Sequence, residues 1–462
     1  MDKTMAIVLA AGKGKRMNSI TPKVVHKICG KAMIEWVLQS LKKSRISKKV
    51  LVVGYKSEIV KECVKDKVIY AFQKTQQGTG HAVMQAEKYI NDEYKYVFIL
   101  CGDTPLITDK TITQTIKYHK EQENSATIVT ARLTNPTGYG RIIRNQKGIV
   151  QKIIEETDLS EKQKHIKEIN SGIYCFTSKY LVSSLKKINS NNSQNEYYLT
   201  DTIEELISNG QKVGAVAIDD PDEIIGVNDR VQLEHVSKIM RKRINCRQMM
   251  SGVTIINSDN TYIDDEVKIG KDSVIYPETL LEGNCIIGKN CIIGPNSRLV
   301  NSKVANSVEI NNSIVIESSI GEKSRIGPFA YLRPGSKIGK NVKIGDFVEV
   351  KNSIIGDNTK SSHLAYIGDA SIGENVNIGC GTIVVNYDGV NKHRTNIEDK
   401  AFIGCNVNLI SPVTVRKNAY IAAGSTITKE VPHDSLAIAR NRQIIKKGWK
   451  NKKNNITDGD NQ

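Results

Sequence analysis

Between Leu9 and Lys23 the chain reads LAAGKGKRMNSITPK, directly behind Ala6 to Ala10, an apolar run of the kind that forms a buried strand. Gly12 and Gly14 let a backbone approach a ligand closely, and Lys13, Lys15, Arg16 and Lys23 add positive charge. The N-terminus of a helix following the loop would aim N–H groups at an anion. Together these features describe a cradle for a polyphosphate. Met17 stands where the dinucleotide fingerprint needs its third glycine, and no GK[ST] follows, so neither that fingerprint nor the P-loop is met. On spacing alone, glycine-rich turns of this kind also serve packing.

A second group with chemical capacity lies late in the chain. His363, in SSHLAYIGDA, carries an imidazole, which ordinarily titrates near 6.5 and suits a general base. A lone loop histidine is more often merely exposed. This one sits in what reads as an inserted segment between two repeat blocks, beside Tyr366 and near NYDG, Asn386 to Gly389.

Two unlike frames must hold these groups. In the first half, Ala6 to Ala10, Val50 to Val53, Val97 to Leu100 and Ala126 to Thr130 read as buried strands. Segments of helical spacing, such as Met33 to Leu41, separate them. The alternation predicts an α/β domain over residues 1–228, Rossmann-like, with a mostly parallel sheet. Val231, Leu233, Val236, Ile239, Met240 and Ile244 then recur at helical spacing, and Gly252 follows, which predicts a linker helix over 229–250.

Beyond it, apolar residues return every six positions. Ile263, Ile269, Ile275, Leu281, Ile287, Ile293 and Leu299 form one block, and Ile320, Ile326, Leu332, Ile338, Ile344 and Val350 another. Shorter runs begin at Ile372 and Ile403. Small or β-branched residues such as Ser273, Thr279, Ser336 and Thr382 stand two positions before the next large one, and glycine often follows it, where a tight turn is expected. One large and one small inward side chain per step predicts a parallel β-helix of hexapeptide repeats over 251–437, with a C-terminal segment and basic tail over 438–462. Breaks of phase at 299–320, 350–372 and 384–403 predict irregular turns or inserted loops.

The 462 residues suffice for several packed domains, and 39% apolar with 25% charged content excludes wholesale disorder. No apolar run approaches the roughly 20 residues of a membrane span, and the glycine-rich start is unlike a secretory signal. Nine cysteines without a CxxC pair point to reduced thiols and the cytosol. A net charge of +17 fits small anionic substrates or nucleic acid and does not choose between them. The lysines are dispersed except in KKGWKNKK, Lys446 to Lys453, which reads as a solvated tail.

The loop from Leu9 to Lys23 resembles the signature of sugar-nucleotide pyrophosphorylases. QKTQQGTGHA, CGDTPL, GYGRI, IIEE, EINSGIY, EYYLTD and GVND match at matching distances. With the six-residue repeats, the chain is similar over nearly its whole length to the bacterial bifunctional family that acetylates glucosamine 1-phosphate and then uridylylates the product to UDP-N-acetylglucosamine. The resemblance implies a homotrimer with a left-handed β-helix, a Mg2+ ion, and UTP and acetyl-CoA as co-substrates. It assigns UTP and the nucleotide sugar to Leu9, Ala10, Ala11, Gly12, Lys23, Gln73, Gly78, Thr79, Gly140, Glu155, Asn170 and Asn228, with Arg16 and Lys23 acting on the triphosphate. Asp103 and Asn228 match the metal ligands. Asp103 alone could be a turn residue, but the carboxyl end of a sheet strand favours the ligand role. Lys15 stands where the signature usually has threonine.

For acetyl transfer the resemblance gives His363 as base, Arg333 and Lys351 for the sugar phosphate, and Tyr366, Asn377, Asn386 and Tyr387 around glucosamine. Glu349 is expected beside the sugar and to steer the His363 ring. Cys380, Cys405, Ala423 and Arg440 match acetyl-CoA contacts, with Cys405 where some relatives carry serine. Two rivals remain: a pyrophosphorylase for another sugar whose β-helix serves only assembly or regulation, and a basic nucleic-acid-binding protein. The joint presence of Arg333, Lys351, His363, Tyr366 and Asn386 speaks against the first, and few aromatic stacking partners speak against the second.

Overall fold

The computed structural model describes residues 3–450. Lys452 and Lys453 of the basic run lie outside the described residues. The chain forms two compact units that divide between Ile244 and Asn245.

In the first unit, the strands cross the sheet in the order Val213–Ala217, Ala126–Arg132, Glu168–Thr177, Tyr94–Cys101, Lys3–Ala10, Lys48–Val53 and Ile69–Phe72. All neighbours on this path are parallel except Glu168–Thr177, which runs antiparallel to both of its partners. An antiparallel hairpin, Arg141–Arg144 with Val150–Ile154, continues from it. The apolar runs are continuous because both faces are covered. Met5, Ile7, Val50, Val52, Val97 and Ile99 pack on one side, and Ala6, Val8, Leu51, Val53, Phe98 and Leu100 on the other. The helix Met33–Lys43 packs its buried stripe, Ile34, Val37, Leu38 and Leu41, against the second layer.

The helix Arg230–Met250 contains the division between units. Val236, Met240 and Ile244 are buried, whereas Val231 is exposed and does not join that stripe. Among the described residues, no helix is long and apolar enough to cross a membrane.

The second unit is a parallel β-helix. Its short strands form three sheets, and until the last coil each strand pairs in parallel with the strand three places further along the chain. Of the first seven periodic residues all but Ile269 are buried. Ser273, Thr279, Ser297, Ser336 and Thr382 are buried as well. Serine tolerates this interior because its hydroxyl bridges coils. Ser273 Oγ donates to the Gly288 carbonyl at 2.9 Å and accepts from the Cys291 amide at 3.0 Å.

Two expectations need correction. Most of the glycines that follow the large residues are not the turning residues, Gly294 and Gly327, at φ 96° and 101°, being the exceptions. Many of the left-handed corners belong to asparagine, among them Asn290, Asn341, Asn375 and Asn418, whose side chains tolerate positive φ. At Gly270, Gly321 and Gly356 a Cβ would meet the backbone of the next coil at 2.6, 2.4 and 2.5 Å, so glycine is required by the stacking distance between coils.

The breaks of phase also differ in kind. From Leu299 the inward positions run Val304, Ile310, Val315 and Ile320, and from Val350 they run Ile355, Ser361, Ile367 and Ile372. These stretches contain shortened corners and no insertion. His363 therefore lies on an ordinary strand, Lys360–His363, and not in an inserted segment. The buried serine at 361 had masked the repeat. Only the third break is an insertion. Ile372 pairs with Ile397, and the extra residues form a small loop closed by a bridge between Tyr387 and Lys392.

Candidate functional sites

In the first unit, the residues singled out gather at the carboxyl ends of neighbouring parallel strands. Leu9 accepts from the Gly102 amide at 2.8 Å, Ala11 from the Tyr55 amide at 3.3 Å, and the Gln73 amide donates to Val53 at 2.8 Å. The glycine-rich loop thus lies between the two flanking turns. No long helix follows it, contrary to expectation. A single 3-10 turn, Lys15–Met17, does, and it leaves Lys15 and Arg16 exposed while Met17 is buried. An anion bound here would meet loop amides and side chains, with no extended helix dipole behind them. Gly12 has open space where a Cβ would project, and Gly14 has φ +60° with the Lys23 stem where its Cβ would stand.

Lys23, Asp103 and Asn228 come together. The Lys23 ammonium contacts the Asp103 carboxylate and donates to Asn228 Oδ1 at 3.2 Å. Asn228 is held there because the Val227 amide donates to the Asp103 carbonyl at 2.9 Å. Two oxygens of different chain segments therefore converge on one cationic point. A hard divalent ion could use the same pair and take its remaining ligands from phosphate and water. Among the described residues no group of three or more His, Cys, Asp or Glu could hold a metal by itself.

Beside this cluster is a cleft of about 190 Å³ lined by Leu9, Thr79, Gly140, Glu155, Asn170 and Thr200, among others. Its wall is zipped by backbone. The Gly80 amide donates to Tyr197 and the Tyr197 amide to Gln77, both at 2.8 Å, and the Leu199 amide donates to Thr79 Oγ1 at 3.1 Å. Gly78 has φ +103°, and a Cβ there would meet the Tyr197 carbonyl at 2.5 Å. Gln73 is buried and donates to the Gly78 carbonyl at 3.3 Å. Asn170 Oδ1 accepts from Tyr174 at 3.0 Å. Burial raises the Glu155 carboxyl above its ordinary range, and Thr200 donates to it at 3.2 Å. Burial, with Glu204 and Asp158 nearby, raises Asp201 to about 6. Thr200 and Asp201 stand in the EYYLTD segment but carry no expected role; Thr200 is brought to the cleft by its contact with Glu155, and Asp201 is marked by its burial beside other acids.

In the second unit, one face of the β-helix carries distinct groups at its two edges. At the first edge His363 is in register with Asp346, and its Nδ1 lies 2.6 Å from Asp346 Oδ1. Glu349 does not steer this ring. It accepts from Arg333 at 2.8 Å instead, while Asp346, unmarked in the sequence, holds the histidine. With Nδ1 engaged, Nε2 is the ring nitrogen left for a substrate. The Asp346 carboxyl is held below its usual range by its own backbone amide and then by His363.

At the opposite edge Lys351, Asn352 and Asn386 surround Asp369, another residue the sequence did not mark. Asp369 accepts from Lys351 at 3.4 Å, from Asn352 at 2.6 Å and from Asn386 at 2.5 Å. Burial opposes its ionisation, but Asn352, Asn386 and the Lys351 charge keep its carboxyl below the usual range. Lys392, from the inserted loop, is pushed below the ordinary lysine range by Lys351 beside it, with Arg333 adding to the effect. Such crowding of cations is what a bound dianion relieves. Tyr366 stands between the two edges, in register with Glu349. At Gly368 a Cβ would be 2.5 Å from the Tyr366 hydroxyl and 2.8 Å from Asn386 Nδ2, so glycine lets both side chains in. Asn377 lies on a different face, in register with Lys360 and Phe402, and Tyr387 is exposed on the inserted loop.

Cys380, Cys405 and Ala423 repeat one corner position on successive coils. The Asn406 amide donates to Cys380 at 2.7 Å and the Gly424 amide to Cys405 at 2.8 Å. Arg440 follows, its Cδ 3.9 Å from where a Cβ on Gly424 would lie. Because the Gly381 amide donates to Leu364 at 2.8 Å, the same column continues back to His363 and Asp346.

Comparison with known proteins agrees with two transferase units. The nucleotidyl transferase model matches residues 5–222. The bacterial transferase hexapeptide model matches 317–352 and 394–429, and the GMPPB C-terminal domain model 257–333. The bifunctional protein GlmU of Acetivibrio thermocellus is 61% identical over 453 residues, 98% of each chain. Those of Clostridioides difficile and Caldanaerobacter subterraneus are 54% and 52% identical, covering 98% and 97% of this chain and 98% of their own. On this identity along almost its entire length, the chain belongs to the bifunctional GlmU family.

Proposed function

We propose that the chain performs two consecutive steps on one phosphorylated hexosamine, with the roles distributed as follows. It is a bifunctional transferase of UDP-N-acetylglucosamine synthesis. The second unit transfers acetyl from acetyl-CoA to glucosamine 1-phosphate, and the first unit joins the product to the uridylyl group of UTP with release of pyrophosphate. The observation that carries this reading is that each compact unit gathers its own cluster of cationic and polar side chains, Lys23 with Asp103 and Asn228 in one, Lys351 on Asp369 with Lys392 and Arg333 nearby in the other.

For acetyl transfer, the amine must lose a proton as it attacks the thioester. His363 Nε2 takes that proton while Asp346 fixes the ring through Nδ1. Arg333 and Lys351 hold the phosphate at the far edge of the same face, and Glu349, Tyr366 and Asn386 orient the sugar between. Cys380, Cys405, Ala423 and Arg440 mark the track of the donor. Backbone amides near Asn386 and Tyr387 are the donors proposed for the tetrahedral oxyanion.

For uridylyl transfer, a phosphate oxygen of the sugar attacks the α-phosphorus of UTP. It is already ionised at neutral pH, so alignment and charge stabilisation carry the rate and no base is needed. Arg16, Lys23 and the loop from Leu9 to Gly12 receive the triphosphate, Gln73, Gly78 and Thr79 read uracil, and Gly140, Glu155 and Asn170 hold the amino sugar. Asp103 and Asn228 would hold a Mg2+ ion, which would supply neutralisation of phosphate charge there.

We read the assembly as a cytosolic homotrimer. Supporting it, Phe329 and Phe347 stack at 5.5 Å while both remain largely exposed, and Leu364 extends the same apolar ridge. A coupled assay with glucosamine 1-phosphate, acetyl-CoA, UTP and magnesium tests the whole proposal. Lys23→Ala should still release free coenzyme A but make little nucleotide sugar. His363→Ala should still uridylylate supplied N-acetylglucosamine 1-phosphate. Loss of both activities in each folded variant would refute separate sites.

A further inference from the structure

We propose that Cys380 and Cys405 form an oxidation-sensitive dithiol that closes a disulfide across two neighbouring coils and stops acetyl transfer while uridylyl transfer continues. The inference rests on reading this corner as the acetyl donor's track.

Of the nine cysteines, Cys246, Cys380 and Cys405 are exposed. The others are shielded to different degrees. Burial pushes the Cys101 thiol up to about 12 and raises Cys285 and Cys291 as well, which keeps them inert. Cys246 lies on the helix Arg230–Met250. Cys380 and Cys405 differ from it in having each other. Ile378 pairs with Ile403, the Gly379 amide donates to Ile403 at 2.8 Å, and the Asn406 amide donates to Cys380 at 2.7 Å, so the two cysteines are directly in register.

Each is followed by a left-handed residue, Gly381 at φ 74° and Asn406 at φ 55°. The two corners therefore turn alike, and both thiols leave the rod side by side. Neighbouring strands stand about 4.8 Å apart, inside the Cα window of roughly 4.4–6.8 Å that a disulfide accepts. In-register Cβ atoms on parallel strands are wider apart than a relaxed disulfide prefers. The bond would be strained, hence easily reduced again, which is the character of a regulatory disulfide.

The position supplies the effect. Cys380 is one coil from His363, and Cys405 is one coil from Ala423, in a single column. Joining the sulfurs fixes both side chains across the path between the base and the rest of the donor site. The oxidant is a low-molecular-weight disulfide. One protein thiolate, its proton lost to water, attacks a sulfur of that disulfide, whose S–S bond breaks and releases one small thiolate. The second protein thiolate then attacks the mixed disulfide and releases the other. Two protein thiols are oxidised, and one small disulfide is reduced to two thiols.

The test treats the full-length protein with coenzyme A disulfide, maps peptides by mass without reductant, and assays both reactions. The expected result is a peptide cross-link between Cys380 and Cys405, loss of acetyl transfer, unchanged uridylyl transfer, and recovery with dithiothreitol. The Cys405→Ser variant should retain coenzyme A on Cys380 as a mixed disulfide. The Cys380→Ser/Cys405→Ser double variant, compared with its own untreated activity, should resist the oxidant. Modification of Cys246 without the cross-link, or inactivation of the double variant, would overturn the proposal. A cross-linked protein that still acetylates would overturn the switch. Absence of acetyl transfer before oxidation would instead overturn the donor-track reading on which the switch depends, an outcome distinguishable because the cross-link is scored by mass alone.

Discussion

The two candidate sites are assembled at very different distances along the chain. In the first unit Lys23 reaches Asp103 across 80 residues and Asn228 across 205. In the second, Arg333 to Glu349, Asp346 to His363, Asp369 to Asn386 and Lys351 to Asp369 span 16, 17, 17 and 18 residues, one coil each. A sheet with crossovers gathers loops from everywhere onto one edge, so its site depends on the whole unit being folded. A β-helix repeats a corner at each coil, and a site there needs only its neighbouring coils. The second site is therefore expected to fail locally, and the first globally.

The largest effects test the separation itself. His363→Ala should lower acetyl transfer by about 10²–10⁴. Lys23→Ala should lower uridylyl transfer by about 10²–10³, the loss typical of an electrostatic contact. Each should leave the other reaction intact in the coupled assay. Next in size is Asp369→Ala, which strips Lys351, Asn352 and Asn386 of their shared acceptor. Stability should fall by about 1–3 kcal/mol and the KM for glucosamine 1-phosphate should rise, with hydrogen exchange changing only in the adjoining coils. Exchange that spreads through the whole rod would break the contrast.

Asp346→Asn sharpens it further. The variant keeps a group able to bond the ring but loses the charge, so the kcat of acetyl transfer should drop about tenfold with KM little changed. Glu349→Gln, which touches Arg333, should act on KM instead. A smaller and remote effect is expected in the first unit for Gly14→Ala. Its Cβ would stand 2.7 Å from Lys23 Cβ in a left-handed conformation that costs about 1–2 kcal/mol. Uridylyl transfer should fall severalfold because Lys23 is displaced.

The same contrast governs what could be read in advance. The buried strands, the helix Met33–Lys43 and the β-helix were legible because apolar periodicity reports burial directly. Asp346 escaped because a polar Ser361 at an inward position hid the coil that stacks His363 over it. Asp369 escaped because its importance lies in three contacts from neighbouring coils. The 3-10 turn after the glycine-rich loop escaped because a short helical turn and a full helix begin with the same residues. Once the coil length is known, partners one coil apart can be counted off; no such count predicts that Asn228 meets Lys23.

The smallest expected effect separates the sites by their acids. At the second site backbone amides and partner side chains hold carboxylates down. Asp388 accepts from the Asn391 amide at 2.6 Å, from His393 and from the Val390 amide, and is held well below the usual range, which keeps the inserted loop tied as pH falls. At the first site burial pushes acids up. Asp201 ordinarily ionises at 3.8 and here at about 6, so the folded state binds a proton that the unfolded chain has released between those values. Stability of the first unit is therefore unpenalised below 3.8 and falls as pH rises through 6. For this half-exposed group, solvent screening reduces the penalty at neutral pH to about 1–2 kcal/mol. Asp201→Asn should remove it: hydrogen exchange in the first unit should slow relative to wild type at pH 7, with the difference vanishing near pH 4. A difference that persists at pH 4 would mean that the carboxyl acts through its shape and hydrogen bonds, and that burial of its charge is not what distinguishes the first site.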